Sequence, residues 1–147
     1  MKIAIGADHR GFELKEKIKQ HLLTLGHQVN DLGTYSTESV DYPDYGFKVA
    51  ESVARNEVDF GIAICWTGNG INIAANKVKG VRSALCLNEE MASFARSHND
   101  ANVLALSSKY VSEDLANKIV DVWLSTKFEG GRHAKRLEKI INYETKR

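Results

Sequence analysis

The residues Cys65-Trp66-Thr67-Gly68-Asn69-Gly70 close the apolar run Phe60 to Cys65 and open onto a short helical stretch. A cysteine at such a place can act as a proton acceptor once ionised, and an adjoining helix N-terminus lowers the pKa of a thiol. The glycines let the backbone approach a ligand. The free amides and positive dipole end of the following helix suit an anion such as an enolate or a phosphate. The stretch is not a Walker loop, because no Gly-Lys-Ser/Thr follows. Nor is it the dinucleotide fingerprint, since Ile73 stands where a third glycine or alanine belongs. The competing reading of Cys65 is packing, because free cysteine is among the most buried residue types. Cys86, inside an apolar strand, is structural.

Other chemistry-bearing groups lie elsewhere in the chain: Asp8-His9-Arg10-Gly11, His98-Asn99-Asp100, Ser107-Ser108-Lys109, and the pair Arg132 and Arg136. Asp8 and His9 can serve a ligand or cap the helix that follows them. His98 can be an acid/base or a C-terminal helix residue stabilised by the dipole. Arg132 and Arg136 are four apart on a helical tail and can converge on one anion, or belong to a solvated basic face. Trp66, on an exposed loop, can stack on a sugar, plug a pocket or face a subunit. Asp8, His9, His98, Asp100 and His133 show no HxH or HExxH spacing, so no metal site is expected.

Short strand-like runs alternating with longer helical ones must position these groups. Ile3-Ala4-Ile5 predicts a first strand and Gln28 to Leu32 a second. Phe60 to Cys65 predicts a central strand apolar on both faces, Val81 to Leu87 a fourth and Val103 to Leu106 a fifth. The first helix carries Leu14, Ile18, Leu22 and Leu25 on one stripe, with Glu13 four before Lys17, and stops at Gly26. Pro43 suits the first turn of a second helix that turns Phe47, Ala50 and Val53 inward. Asn76 or Gly80 ends the helix after the glycine loop, Asn88 caps the next, Ser112 begins another and the tail after Gly131 forms the last. The alternation implies parallel pairing and right-handed crossovers, hence a five-stranded doubly wound α/β domain with an added C-terminal helix. Ligands of such sheets bind outside the carboxyl ends of the strands. That rule gathers Asp8, Cys65 and Lys109 but puts His98, just before the fifth strand, near the opposite edge.

The chain has 147 residues, of which 43% are hydrophobic and 27% charged, with a net charge of +1. These values fit one soluble domain, residues 1–147, with the basic tail 127–147 contributing to a site or an interface. The charge gives no global affinity for nucleic acid or membranes. Two cysteines without a disulfide framework fit a reducing cytoplasm. No signal peptide or membrane span is readable at the N-terminus or beyond it.

ADHRGFELK, VDYPDY, GIAICWTGNGINIAANK, RSHNDANVLAL and FEGGRHAKRLEKI, in this order, resemble the ribose-5-phosphate isomerase B family, which includes galactose-6-phosphate isomerase subunits. The resemblance covers essentially the whole chain. It implies a flavodoxin- or Rossmann-like fold, dimers often paired into tetramers, and active sites at subunit interfaces. It also implies cofactor-independent interconversion of an aldose phosphate and a ketose phosphate, typically D-ribose 5-phosphate and D-ribulose 5-phosphate. By the same resemblance Cys65 removes the proton at C2, Thr67 and the amides through Gly70, with Gly68 and Asn69, hold the enediolate oxygen, and His98 opens the furanose ring. Asp8 contacts sugar hydroxyls, Asn99 lines the site, and His9, Arg132 and Arg136 bind the phosphate. The chain departs from the family at Trp66, where glycine is usual, and at Lys109, where arginine is common. Members that use glutamate as base carry it where this chain has Ile71. These departures leave open a hexose 6-phosphate, such as that of allose or galactose, as substrate. They also leave open a non-catalytic sugar-phosphate binder closed by Trp66.

Overall fold

The Ile3-Ala4-Ile5 run is the fully buried middle of strand β1 (Lys2–Ala7). In the computed structural model, which describes residues 1–146, β1 is followed by α1 (Phe12–Thr24), β2 (Gln28–Asp31) and α2 (Tyr42–Ala54). Then come β3 (Phe60–Cys65), α3 (Asn69–Asn76), β4 (Ser83–Leu85), α4 (Glu89–Ser97), β5 (Val103–Ser107), α5 (Glu113–Ser125) and α6 (Arg132–Thr145). The five strands form one all-parallel sheet in the order β2-β1-β3-β5-β4. This is the expected doubly wound α/β architecture, with β1, β3 and β5 central.

Alternation along the central strands divides the core. Ile3, Ile5, Ile62, Ile64, Leu104 and Leu106 pack towards α1, α4 and α5, where Ile18, Ile119 and the wholly buried Trp123 meet them. Ala4, Ala63, Cys65, Val103 and Ala105 point to the other face, against α2 and α3 through Val49, Val53, Ile71 and Ala75. The side chains on this second face are smaller, and α2 and α3 lie correspondingly close. A Cβ on Gly61 would come within 2.5 Å of Val49, and one on Gly46 within 3.0 Å of Ile71.

Local sequence signals set most boundaries. Asn88 Oδ1 accepts the Met91 amide at 2.8 Å and Ser112 Oγ accepts the Leu115 amide at 3.2 Å, so both expected N-caps are made. Pro43 lies in the first turn of α2. Three expectations are corrected. Phe47 points outward, 38% exposed, because Gly46, Val49, Ala50 and Val53 form the inner stripe. Leu25 lies past the end of α1 and is 50% exposed. The fourth strand is limited to Ser83–Leu85, because Val81 and Arg82 are held outside the ladder. The Val81 amide bonds back to Val78 O at 3.2 Å and the Arg82 amide to Asn102 Oδ1 at 2.8 Å. Lys17 pairs across to Glu113 of α5 at 3.2 Å. No helix among the described residues is long and apolar enough to cross a membrane.

α6 stands apart in its packing. Of its fourteen residues only His133 and Leu137 are buried, while Ile140, Ile141 and Tyr143 are 54%, 42% and 75% exposed. It borders an open groove of about 450 Å³ along β4, lined by Val81, Ala84, Asn99, Leu137, Ile140 and Tyr143 among others.

Candidate active site

Cys65 is the last residue of β3, 4% exposed, with its side chain on the α2–α3 face. The turn after β5 clamps its backbone. The Ser108 amide and hydroxyl donate to Cys65 O at 3.0 and 3.3 Å. The Lys109 amide and the Ser107 hydroxyl donate to Trp66 O at 2.9 and 2.8 Å. The thiol is therefore held between two strands whose ends are tied together. Gly68 makes the turn into α3 with a φ of 80° and allows a close approach, since a Cβ there would lie 2.5 Å from Leu85 and 3.1 Å from the Leu106 backbone.

Burial pushes the Cys65 thiol up. The Ile71, Gly68 and Gly70 amides at the start of α3 bond to the sulfur and pull it down, while the Asp8 carboxylate raises it. The net result is a thiol above its ordinary range, with a built cradle waiting for its anion. Thr67 Oγ1 accepts the Asn69 amide at 3.3 Å, which fixes the threonine against the helix start. The Tyr42 ring closes over Gly70, where a Cβ would lie 2.6 Å from it.

Asp8 follows β1 directly and its amide bonds to Ile64 O at 3.2 Å, beside Cys65. Its Oδ1 accepts the Arg10 and Gly11 amides, each at 3.0 Å, so Asp8 caps the turn into α1 while Oδ2 is not needed for the cap. His9 Nδ1 accepts the Val40 amide at 3.1 Å, which places the ring proton of the neutral imidazole on Nε2 as a donor. Asp8→Asn keeps the capping oxygen and removes the charge that raises the thiol. Its expected effect is a lower Cys65 pKa, read as thiolate absorbance near 240 nm during a pH titration, after subtracting the same titration of Cys65→Ser. Cys86, pushed up to about 12 by burial, stays silent. An unchanged titration would show that Asp8 does not act on the thiol.

Trp66 does not crowd the thiol. Neighbouring strand residues face opposite ways. The indole accordingly turns to the α1–α5 side, beside Leu14, Val111 and Glu113, with the Arg10 guanidinium 4.8 Å and the Lys109 ammonium 5.8 Å from its ring centre. The indole is 40% exposed on that side. Trp66 holds two cations at the rim.

His98, Asn99, Arg132 and Arg136 lie at the other end of the sheet. His98 is the C-terminal cap of α4, at the amino end of β5, and its amide bonds to Phe94 O at 2.9 Å. Cys65 pairs with Ser107 at the carboxyl end of β5. With a rise of about 3.3 Å per residue, roughly 15 Å of strand separates the two ends. His98 instead stacks on His133 of α6, ring centres 4.2 Å apart and planes 15° from parallel. Burial lowers the His133 pKa, and the charges of His98, Arg132 and Arg136 add to the fall against Glu129. Arg132 and Arg136 are exposed on α6, and Asn99 faces the groove beside Leu137. One chain thus carries two separate clusters: a thiol under helix amides with Asp8, His9 and Lys109 at one end of the sheet, and an imidazole-guanidinium face at the other.

Arg10, Tyr42 and His133 were assigned no substrate role by sequence, although Arg10 stood in the Asp8-His9-Arg10-Gly11 stretch and His133 was weighed as a metal ligand. The DHRG and VDYPDY stretches contain the first two, yet only the packing on Trp66 and Gly70 reveals them.

A doubly wound sheet with a cradled thiol at one strand end and polar loops beside it belongs to the class of α/β enzymes that act on small polar molecules. Residues 3–140 match the model of the Ribose/Galactose Isomerase family, and the chain belongs to that family. It is 51% identical over 146 residues to the ribose-5-phosphate isomerase B of Escherichia coli K12, covering 99% of this chain and 98% of that one. A solved ribose-5-phosphate isomerase B from Clostridium thermocellum superposes with a TM-score of 0.98 at 56% identity, covering 99% of both chains. Another, from Mycoplasma genitalium with bound ribulose-5-phosphate, superposes at 0.96 with 49% identity over 99% of this chain and 97% of that one.

Proposed function

We propose that this chain is a cofactor-independent aldose–ketose isomerase that interconverts D-ribose 5-phosphate and D-ribulose 5-phosphate, with Cys65 as the base. The observation that carries this reading is the thiol buried under the Gly68, Gly70 and Ile71 amides. Relatives named ribose-5-phosphate isomerase B, one of them solved with ribulose-5-phosphate, support the choice of sugar.

The chemistry requires little more. The Cys65 thiolate takes the proton from C2 of the open-chain aldose, and the electron pair moves to the carbonyl oxygen at C1. The O2 proton of the resulting enediolate passes to O1 and the same thiol returns its proton to C1, so that C2 becomes the carbonyl, C1 a hydroxymethyl group and Cys65 a thiolate again. Hydrogen moves only as a proton, so one base suffices. As the sulfur is protonated its negative charge passes to the enediolate oxygen, and amides preorganised for the thiolate can serve that oxygen beside Thr67. Asp8 Oδ2 contacts sugar hydroxyls, while His9 Nε2–H and Lys109 reach the phosphate. The remote phosphate orients the reacting carbons.

His98, Asn99, Arg132 and Arg136 enter this site from a second copy. Ile140, Ile141 and Tyr143 of α6, and Phe94, Met91 and Leu87 on and before α4, are exposed apolar side chains that such a partner would cover. The reading is therefore a dimer, or a pair of dimers, in which each site joins the thiol end of one chain to the basic face of the other. His98 opens the furanose ring there, and Arg132 and Arg136 bind the phosphate. Two buried free thiols suit a reducing cytoplasm.

Proton NMR of the purified protein in D2O with ribose 5-phosphate, allose 6-phosphate and galactose 6-phosphate tests the assignment. Formation of ribulose 5-phosphate with deuterium entering next to the carbonyl is the expected result. Conversion of a hexose phosphate alone would change the sugar. Thermal stabilisation by ribose 5-phosphate without conversion or exchange would replace the enzyme by a binder. Trp66→Gly is expected to leave kcat within about twofold and to raise the KM for ribose 5-phosphate about two- to fivefold. Each exposed cation–π contact that holds Arg10 and Lys109 is worth about 0.5–1 kcal/mol. A shift of the preferred sugar in this variant would instead mean that the indole reaches the sugar.

A further inference from the structure

We infer that Asp100, gripped by Arg82 and Arg96, is the positioning residue of His98. The inference rests on the ring-opening role proposed for His98. Asp100 has a φ of 45°, in the left-handed region that glycine enters freely and that aspartate and asparagine tolerate better than other residues. Such a conformation persists where the surrounding bonds over-determine it. Arg96 Nη1 donates to Asp100 Oδ1 at 3.0 Å, and Arg82 Nη2 donates to Oδ2 at 3.3 Å. Arg82 Nε donates to the Asp100 carbonyl at 3.0 Å, and the Asp100 amide donates to Arg96 O at 3.2 Å. Every polar group of this one residue is engaged.

The two arginines are themselves fixed. Arg96 is 7% exposed, its guanidinium lies 4.6 Å from the Phe60 ring centre and 5.6 Å from that of Trp123, and its Nη1 also donates to Ala101 O at 2.7 Å. Arg82 stands just before β4, where its amide donates to Asn102 Oδ1 at 2.8 Å and its carbonyl accepts the Asn102 amide at 2.9 Å. Asp100 is thus pinned between a core arginine of α4 and the start of the edge strand. His98 and Asn99 are the two residues between the end of α4 at Ser97 and this pinned turn. Ending a helix requires far less: after α1 and α3 the chain turns left-handed at Gly26 and Gly80, with φ of 87° and 88°. A carboxylate held by two arginines instead fixes the direction in which the chain carries His98 out of the helix.

The two directions of the reaction separate the role of His98 from that of Cys65. Ribose 5-phosphate is closed through O4 and must be opened before the thiolate can act. Ribulose 5-phosphate cannot close the corresponding ring, because its O5 carries the phosphate. Exchange of its C1 proton with solvent therefore needs the thiol and no ring opening.

The test compares kcat from ribose 5-phosphate with the rate at which deuterium enters C1 of ribulose 5-phosphate in D2O, both by proton NMR of the full-length protein. Asp100→Gly keeps the left-handed backbone and removes the carboxylate. It should lower kcat from ribose 5-phosphate about tenfold or more and leave the exchange within about twofold. Asp100→Asn, which retains one acceptor oxygen, should recover most of the turnover. Arg82→Lys loses the forked pair of bonds and should show the same selective fall, and it decides the matter if Asp100→Gly fails to fold. Lost stability alone would lower both rates by the same factor. A proportional fall, or none, in both Asp100→Gly and Arg82→Lys overturns the inference. His98→Asn is the reference and should show the selective loss in full. If it does and the other two do not, the positioning role alone falls. If His98→Asn keeps the wild-type ratio of the two rates, the ring-opening role falls and the inference with it.

Discussion

Cys65→Ser is expected to lower kcat for ribose 5-phosphate by about 10³-fold or more, the range a positioned general base contributes. The Kd for the sugar phosphate should stay within a few-fold of the wild type. The substitution is nearly isosteric, and the amides of Gly68, Gly70 and Ile71 remain where they are, so the binding surface persists. A hydroxyl in the same cradle ionises far above any working pH and cannot take the C2 proton. Cys86→Ser is the matched control. That thiol lies in the core, pushed up to about 12 by burial, and its variant should keep kcat while losing some stability. Turnover by stopped NMR samples and affinity by calorimetry separate the two quantities. A Cys65→Ser enzyme with kcat within threefold of the wild type would remove the thiol from the mechanism.

What could be read from the sequence was local. The period of the apolar runs gave the five strands and six helices in order. Asn88 and Ser112 announced the helix starts at which their side chains are now seen to bond. Cys65 and the amides of Gly68 to Ile71 are within six residues of one another, so a strand followed by a glycine turn and a helix already implied the cradle. The short β4 was less legible, because Val81 and Arg82 are apolar or β-compatible and are withdrawn from the ladder only by bonds to Val78 and Asn102. The direction of Trp66 depends on Arg10 and Lys109, which arrive from two other loops. The stacking of His98 on His133 joins the ends of α4 and α6 and left no trace in spacing. Phe47 was misjudged for a related reason: the tight approach of α2 to α3 is set by Gly46, a residue with no side chain to announce an inner face.

The separation of the thiol from the imidazole within one chain yields the sharpest test of the proposed shared site. Cys65→Ser and His98→Asn should each be nearly inactive alone. Mixed under conditions that exchange subunits, they should recover about a quarter of wild-type activity. In a two-fold dimer each site pairs one chain's Cys65 with the other chain's His98. A mixed dimer therefore has one site lacking both groups and one site lacking neither. Random pairing makes half of the dimers mixed, with one working site of two in each. If His98 instead served the Cys65 of its own chain, every site in every dimer would lack one group and mixing would restore nothing. The same experiment with Arg136→Ala in place of His98→Asn asks whether the phosphate arm crosses too. Exchange itself is verified by native mass spectrometry of the mixture, so failure to recover activity in a mixture with confirmed mixed dimers would overturn the interface site.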